Sequence, residues 1–284
     1  MELERLSLFR GRSLKLTDDI SVKHPTASDI EETGYSEYCE YVSALATTSK
    51  DVADILWYDM NIWYEDIKDE WEFFLEKCVS DYREIPVGIC DEAGNILLEN
   101  KCIGIGEIYR DALNFFLGLK GEYVVLTQGT DEFKQTTLLN VIPCEGKKNC
   151  FRFDEKSFKF TKFFYEQTTQ FIDSINWTKR DYDYLKGGNK AAKKYILNED
   201  HRKRNKKKKK SLVTFDSILS SLVAKGIAYK DLWDYPIYAI YDLYYRYYKM
   251  DEYNNTMQAL HSGCIDTKKN PVNWDKINWS SVIN

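Results

Sequence analysis

Residues 211–250, SLVTFDSILSSLVAKGIAYKDLWDYPIYAIYDLYYRYYKM, carry two helical periodicities joined by a short turn. Phe215, Ile218, Leu219, Leu222 and Val223 recur at three- and four-residue spacing, the repeat that lines one face of a helix. Gly226 is the residue expected to end it. The second helix is expected to start at Asp234–Pro236, a side-chain acceptor followed by a proline, which tolerates only the first turn. Ile237, Ile240, Tyr241, Tyr244 and Tyr248 then form a stripe, with Tyr235, Tyr238, Tyr245 and Tyr247 on its flanks. A tyrosine ring buries well while its hydroxyl needs a partner, so such a helix reads either as core or as a half-wet contact surface. On the contact reading, Tyr238, Tyr245 and Tyr247 are the candidate partner-binding anchors.

Upstream lies a charge run, HRKRNKKKKK (201–210), after GGNKAAKKYILNED (187–200), which reads as a helix opening near Asn189. The basic run either continues that helix or forms a solvated linker. Arg202, Lys203, Arg204, Lys206, Lys207, Lys208, Lys209 and Lys210 are the candidate nucleic-acid contacts, because clustered cations bind phosphate and release counterions. A mobile tether is the reading preferred here, since no aromatic residue interleaves with these lysines as on a base-stacking surface.

The chain has 284 residues, long enough for a sizeable core and two or three compact units. Net charge is −5, yet residues 202–210 carry eight positive side chains, so the rest sums to −13 (−5 less +8). Only the strip is a candidate nucleic-acid footprint. Seven cysteines without a C-x-x-C pair suggest neither a disulfide framework nor a zinc ribbon. No signal peptide and no apolar run of about 18 residues is read. The expectation is a reduced protein of the cytoplasm that contacts no membrane.

Around this centre, the pattern predicts an α+β fold with four segments. Residues 1–84 read as a hairpin over 4–24 followed by helices at 28–46, 50–60 (capped by Ser49) and 63–78. Thr26 or Ser28, with Glu31 and Glu32 behind it, marks the first helix start. Residues 85–178 read as a β-rich middle, with strands at 85–90, 96–105, 122–128, 137–143 and 150–160 and helices at 106–117 and 163–175. Residues 179–210 are the basic helix or linker, and 211–284 the helical pair with a tail that docks through Trp274, Ile277 and Trp279.

No enzyme chemistry emerges. Gly104-Ile105-Gly106 precedes a helix but lacks the third glycine and the Gly-Lys-Ser/Thr ending of a phosphate loop. His24, His201 and His261 are scattered, which is not ligand spacing. Cys144 and Cys150 read as small buried thiols, and nothing orients Cys264 with His261 as nucleophile and base. The expectation is no catalytic, cofactor or metal site.

Four stretches nonetheless resemble a family of proteins encoded in tail-gene clusters of phages and prophages of Firmicutes. They are FRGRSLKL…ISVKHPTASDI, DILWYDMNIWYEDIKDEWEFF, GGNKAAKKYILNEDHRKRNKKKKKS with the helix pair behind it, and LHSGCIDTKK. Together they cover roughly half the chain, in order; the β-rich middle compares least. The resemblance implies a non-enzymatic role in tail morphogenesis, as assembly chaperone or minor virion component. The implied partners are the tail tube or tape-measure protein, in the host cytoplasm or the virion. The alternatives are an effector that binds a host protein and a nucleic-acid-associated phage protein. Replacing Lys206–Lys210 by Ser and Gly should shift the melting temperature by only a few degrees, as surface changes do; a thermal scan followed by circular dichroism checks it.

Overall fold

The computed structural model describes residues 5–80, 84–85, 89–90, 102–128, 135–143, 151–152, 157–178, 182–206, 213–264 and 271–278. Their packing forms two units. One comprises Met1–Arg12, Pro25–Glu32 and Leu212–Asn284; the other comprises Ser13–His24 and Thr33–Ser211. The fold class is α+β.

The chain opens with a helix, α1 (Arg5–Phe9), where alternation had suggested a strand. As a helix it packs on α11 with Leu8 buried and Arg5 paired to Asp242, and that tertiary demand overrides a five-residue alternating pattern. The hairpin is confined to β1 (Leu14–Lys15) and β2 (Ser21–Val22). The helix expected over 28–46 is two, α2 (Ala27–Thr33) and α3 (Tyr35–Ala46), because Gly34 between them sits at φ 94°, a left-handed conformation that stops a helix. Thr26 caps α2 reciprocally with Asp29: the Thr26 N–H donates to Oδ2 at 2.8 Å, and the Asp29 N–H donates to Oγ1 at 3.3 Å.

The next expected helix shrinks to α4 (Ala53–Asp59). Ser49 does not cap it, for its N–H and hydroxyl both donate to Glu70. A single 3-10 turn at Tyr64–Asp66 separates α4 from α5 (Glu70–Ser80), so the helix predicted from Trp63 starts seven residues later, where Asp69 Oδ1 accepts the Trp71 N–H at 2.9 Å. The short strands β3 (Glu84–Ile85), β4 (Ile89–Cys90) and β5 (Cys102–Ile103) lead to α6 (Glu107–Leu117). Then β6 (Glu122–Gln128) and β7 (Gln135–Pro143) form a full antiparallel pair, Glu122 opposite Val141. The strand expected over 150–160 is two, β8 (Phe151–Arg152) and β9 (Lys159–Phe160), both antiparallel to β7. Helix α7 (Lys162–Ile175) follows.

The core of the larger unit is aromatic: the rings of Phe74 and Tyr165 stack with centroids 4.6 Å apart, and Trp71 on α5, Phe160 on β9 and Phe116 on α6 are buried too. A second cluster joins Ala53, Leu56, Trp63 and Phe73 to Tyr184 and to Leu197 on α8 (Lys190–Lys206). Residues from the expected first and third segments thus share one core.

The C-terminal unit holds α9 (Phe215–Ala224), α10 (Tyr229–Leu232), α11 (Ile237–His261) and α12 (Trp274–Ile277). Gly226 ends α9 at φ 97°, as its sequence context indicates. Helix α11 begins at Ile237, one residue after Pro236; Asp234 does not cap it, and the Ile237 N–H donates to the Pro25 carbonyl at 2.9 Å. Helix α9 packs on α11, and Phe215, Ile218, Leu222, Ile237 and Ile240 are buried; Ile277 of α12 is buried while Trp279 lies outside the described residues.

The stripe on α11 departs from expectation at one end: Tyr248 is 57% exposed, whereas Tyr238, Asp242 and Lys249 are buried. Asp242 Oδ1 accepts from Arg5 Nη2 and Oδ2 from Arg246 Nε, each at 2.7 Å. Ile240→Ala should cost about 2–5 kcal/mol in urea unfolding, the range for a large core residue cut to alanine. Asp242→Ala should cost about 3 kcal/mol, the low end for breaking a buried pair, because both guanidinium groups are about one-third exposed.

Candidate functional site

The three tyrosines singled out from the sequence do not form one surface. On a helix at 100° per residue, Tyr238 and Tyr245 (i, i+7) lie almost in line, and Tyr247 lies roughly opposite them. Tyr238 is 7% exposed; burial pushes its phenol above the ordinary range, with the nearby Arg5 charge opposing. Its ring is core. Tyr245 is half-buried with its ring 5.7 Å from Lys249 Nζ, and that ammonium bonds to Glu252 at 2.7 Å.

Tyr247 belongs to another set. Tyr244, Tyr247, Tyr248 and Asp251 recur at i, i+3, i+4 and i+7, and with Leu222 of α9 and Lys225 just past its end they line an open groove of about 280 Å³. Lys225 spans its rim, donating to both carboxylate oxygens of Asp251 at 2.6 and 2.7 Å. On another side of α9, Leu219, Val223, Tyr229 and Trp233 line a second groove of about 340 Å³, where the Tyr229 and Trp233 rings meet edge to face at 5.6 Å. Helix α9 is thus bordered by two aromatic grooves, both open to water. This is contact chemistry: large rings with low rotamer entropy beside a charged rim. The spacing of Tyr244, Tyr247 and Tyr248 was available in the sequence, but with tyrosine on every side of α11 it singled out no face.

The basic run is helical where it is described. Asn189 opens α8 by accepting the Ala192 N–H at 2.9 Å, and the helix continues through Arg202, Lys203, Arg204 and Lys206 rather than breaking into a tether at residue 202. Lysine and arginine are good helix formers. The N-terminal half of α8 is also fastened: Lys194 Nζ lies 3.2 Å from the Trp57 ring centroid and 5.5 Å from that of Trp63. Lys207, Lys208, Lys209 and Lys210 lie outside the described residues.

The same fastening involves Glu65, which accepts from Lys193 Nζ at 2.6 Å and from Trp63 Nε1 and Tyr64 Oη at 3.0 Å. The Lys193 bond, then those from Trp63 and Tyr64, lower its carboxyl to about 2.

Other sequence candidates are engaged in the scaffold. Gly104 bridges to Val124, and the Gly106 N–H donates to the Cys78 carbonyl at 3.1 Å, so neither is arranged as a phosphate cradle. His24 is buried edge-on to Phe171, and burial pushes the Cys78 thiol up. Cys144 and Cys150 lie outside the described residues. Among the described residues, no three His, Cys, Asp or Glu side chains group as metal ligands, and no helix is long and apolar enough to cross a membrane.

The model of the YomV second domain matches residues 205–284. The match begins within a few residues of the point where the C-terminal packing unit resumes at Leu212. No curated protein and no solved structure matches the chain.

Glu65 gives a pH test. A carboxyl lowered in the folded state stabilises above its ordinary value of 4.5, and that stability is lost as pH falls through about 2. Acid unfolding of wild type should therefore lose stability between those two values relative to Glu65→Gln, whose profile should be flatter there.

Proposed function

We propose that this chain is a non-enzymatic phage or prophage protein whose C-terminal unit binds another protein during tail assembly, as an assembly chaperone or minor virion component. The observation that supports this best is the pair of aromatic grooves bordering α9, both built from residues inside the matched segment. The resemblance of four stretches to proteins of phage tail-gene clusters points to the same setting, as does a match to a phage-associated domain family.

The groove of Tyr244, Tyr247 and Tyr248 has the features of a binding hot spot. It is aromatic, concave and rimmed by the Lys225–Asp251 pair. An apolar partner segment would cover the rings and leave the tyrosine hydroxyls at the wet edge, which suits a chaperone for a tail protein before it polymerises. The partner is expected to be the tail tube or tape-measure protein of the same phage, met in the host cytoplasm. No hydrolase, transferase or nuclease activity is expected, since no nucleophile–base pair emerges from the residues weighed above.

Co-expression with the tail tube and tape-measure proteins, followed by affinity capture, tests this. Wild type should give a complex with one of them or raise its solubility. Tyr247→Ser with Tyr248→Ser should weaken that complex at least tenfold, on the order of 1.4 kcal/mol or more. The double variant's melting temperature should stay within a few degrees of wild type. Capture of a host protein and no tail protein would replace the assembly reading by a host-directed one.

A further inference from the structure

The groove between α9 and α10 differs from its neighbour in charge. One wall is a face of α9, where Asp216, Leu219, Ser220 and Val223 recur at i, i+3, i+4 and i+7. The other wall is Tyr229 and Trp233, a turn apart along α10 and its end. Asp216 is exposed, and among the described residues it enters no ion pair. In the groove of Tyr244, Tyr247 and Tyr248 the carboxylate of Asp251 is already matched by Lys225. That groove supplies its own cation; the residues lining this one include none.

Both walls are held in place. Leu232, between the two rings in sequence, is buried, the Trp233 carbonyl accepts the Ser28 N–H and the Tyr235 carbonyl accepts the Ala27 N–H, each at 3.0 Å. The α9 wall starts from Thr214, whose Oγ1 accepts the Ser217 N–H at 3.3 Å and caps the helix. Tyr229 is 64% exposed and Trp233 half-buried, with their ring planes 86° apart. Two rings at right angles make a corner where a compact cation meets both π faces, whereas a flat ligand such as a sugar ring lies on only one. Leu219 and Val223 add apolar surface to the same groove, and Asp216 adds negative charge.

We infer that this groove docks a lysine side chain of a partner protein, with the ammonium in the Tyr229–Trp233 corner, Asp216 as its counter-charge and the methylene stem on Leu219 and Val223. A lysine stem covers apolar surface while its charged head stays at a polar edge, which is the division of surface found here. Lysine suits the corner better than arginine, because a planar guanidinium stacks on one face and an ammonium is compact. The inference rests on the protein-binding reading, whose partner it endows with a basic residue. It concerns a different groove from the one whose tyrosines test that reading.

The test is a titration of the full chain, followed by NMR at the Trp233 indole N–H, whose signal is assigned with Trp233→Phe. The probes are N-acetyl-lysine methylamide and N-acetyl-norleucine methylamide, which has the stem without the charge. The lysine probe should shift the signal saturably and bind about threefold or more tighter than the norleucine probe, by a margin that shrinks as salt rises. Asp216→Asn should weaken the lysine probe about threefold and remove the salt dependence. Tyr229→Leu, which keeps apolar bulk, should weaken the lysine probe about threefold and leave the norleucine probe unchanged. Both side chains are exposed, so the melting temperatures of these variants should stay within a few degrees of wild type. No saturable shift, equal affinity for the two probes, a lysine affinity unchanged in either variant, or a response to maltose in place of lysine overturns the inference. Any of these with capture of a tail protein intact strikes this inference alone. Lysine binding of the expected kind without such capture supports it and removes the tail-assembly partner.

Discussion

A buried carboxylate governs the C-terminal unit. Asp242 sits on α11 with almost no exposed surface and two guanidinium groups on its oxygens, one from Arg246 a turn away and one from Arg5 at the start of the chain. A carboxylate cannot stay buried and charged without partners, so α1 has to lie where Arg5 reaches it. This fixes how α11 is rotated. With Asp242 turned inward beside Tyr238 and Lys249, the face of Tyr244, Tyr247 and Tyr248 turns toward α9 and the open groove. The rings that line the groove are those left over once the charge has been satisfied.

The other unit is built on rings. Stacked Phe74 and Tyr165 centre one cluster, while Trp63, Tyr64 and Tyr184 centre another that fastens α8. Lysines are used here as packing material: Lys190 and Lys194 lie on indole faces, and Lys193 is tied to Glu65. The first half of α8 thereby holds the fold, and its second half is rich in basic residues.

Several groups that the sequence brings to notice are used in the scaffold. The backbone amide of Gly106 closes a loop against Cys78, His24 fills core against Phe171, and burial raises the Cys78 thiol. Open grooves are what the described residues of the C-terminal unit offer to solvent. They are aromatic and border α9, in the segment that matches the YomV second domain.

By itself the sequence determined what local physics controls. The 3.6-residue repeat from Phe215 to Leu222, the stop at Gly226, the β6–β7 alternation and the opening of α8 at Asn189 each depend on near neighbours. Ile237 and Ile240 were legible as core for the same reason. Only the tertiary structure decided which tyrosines are buried, because Tyr238 and Tyr248 are chemically alike and their fates are set by Arg5, more than two hundred residues from Asp242 in the chain. Only it decided that Arg5–Phe9 is helical, that residues 53–73 share a core with Tyr184 and Leu197, and that Tyr58 of α4 reaches Asn198 of α8. Those outcomes turn on pairings between distant residues, such as a buried charge finding its counter-charge or a lysine finding an indole. No periodicity along the chain encodes which distant partner is available.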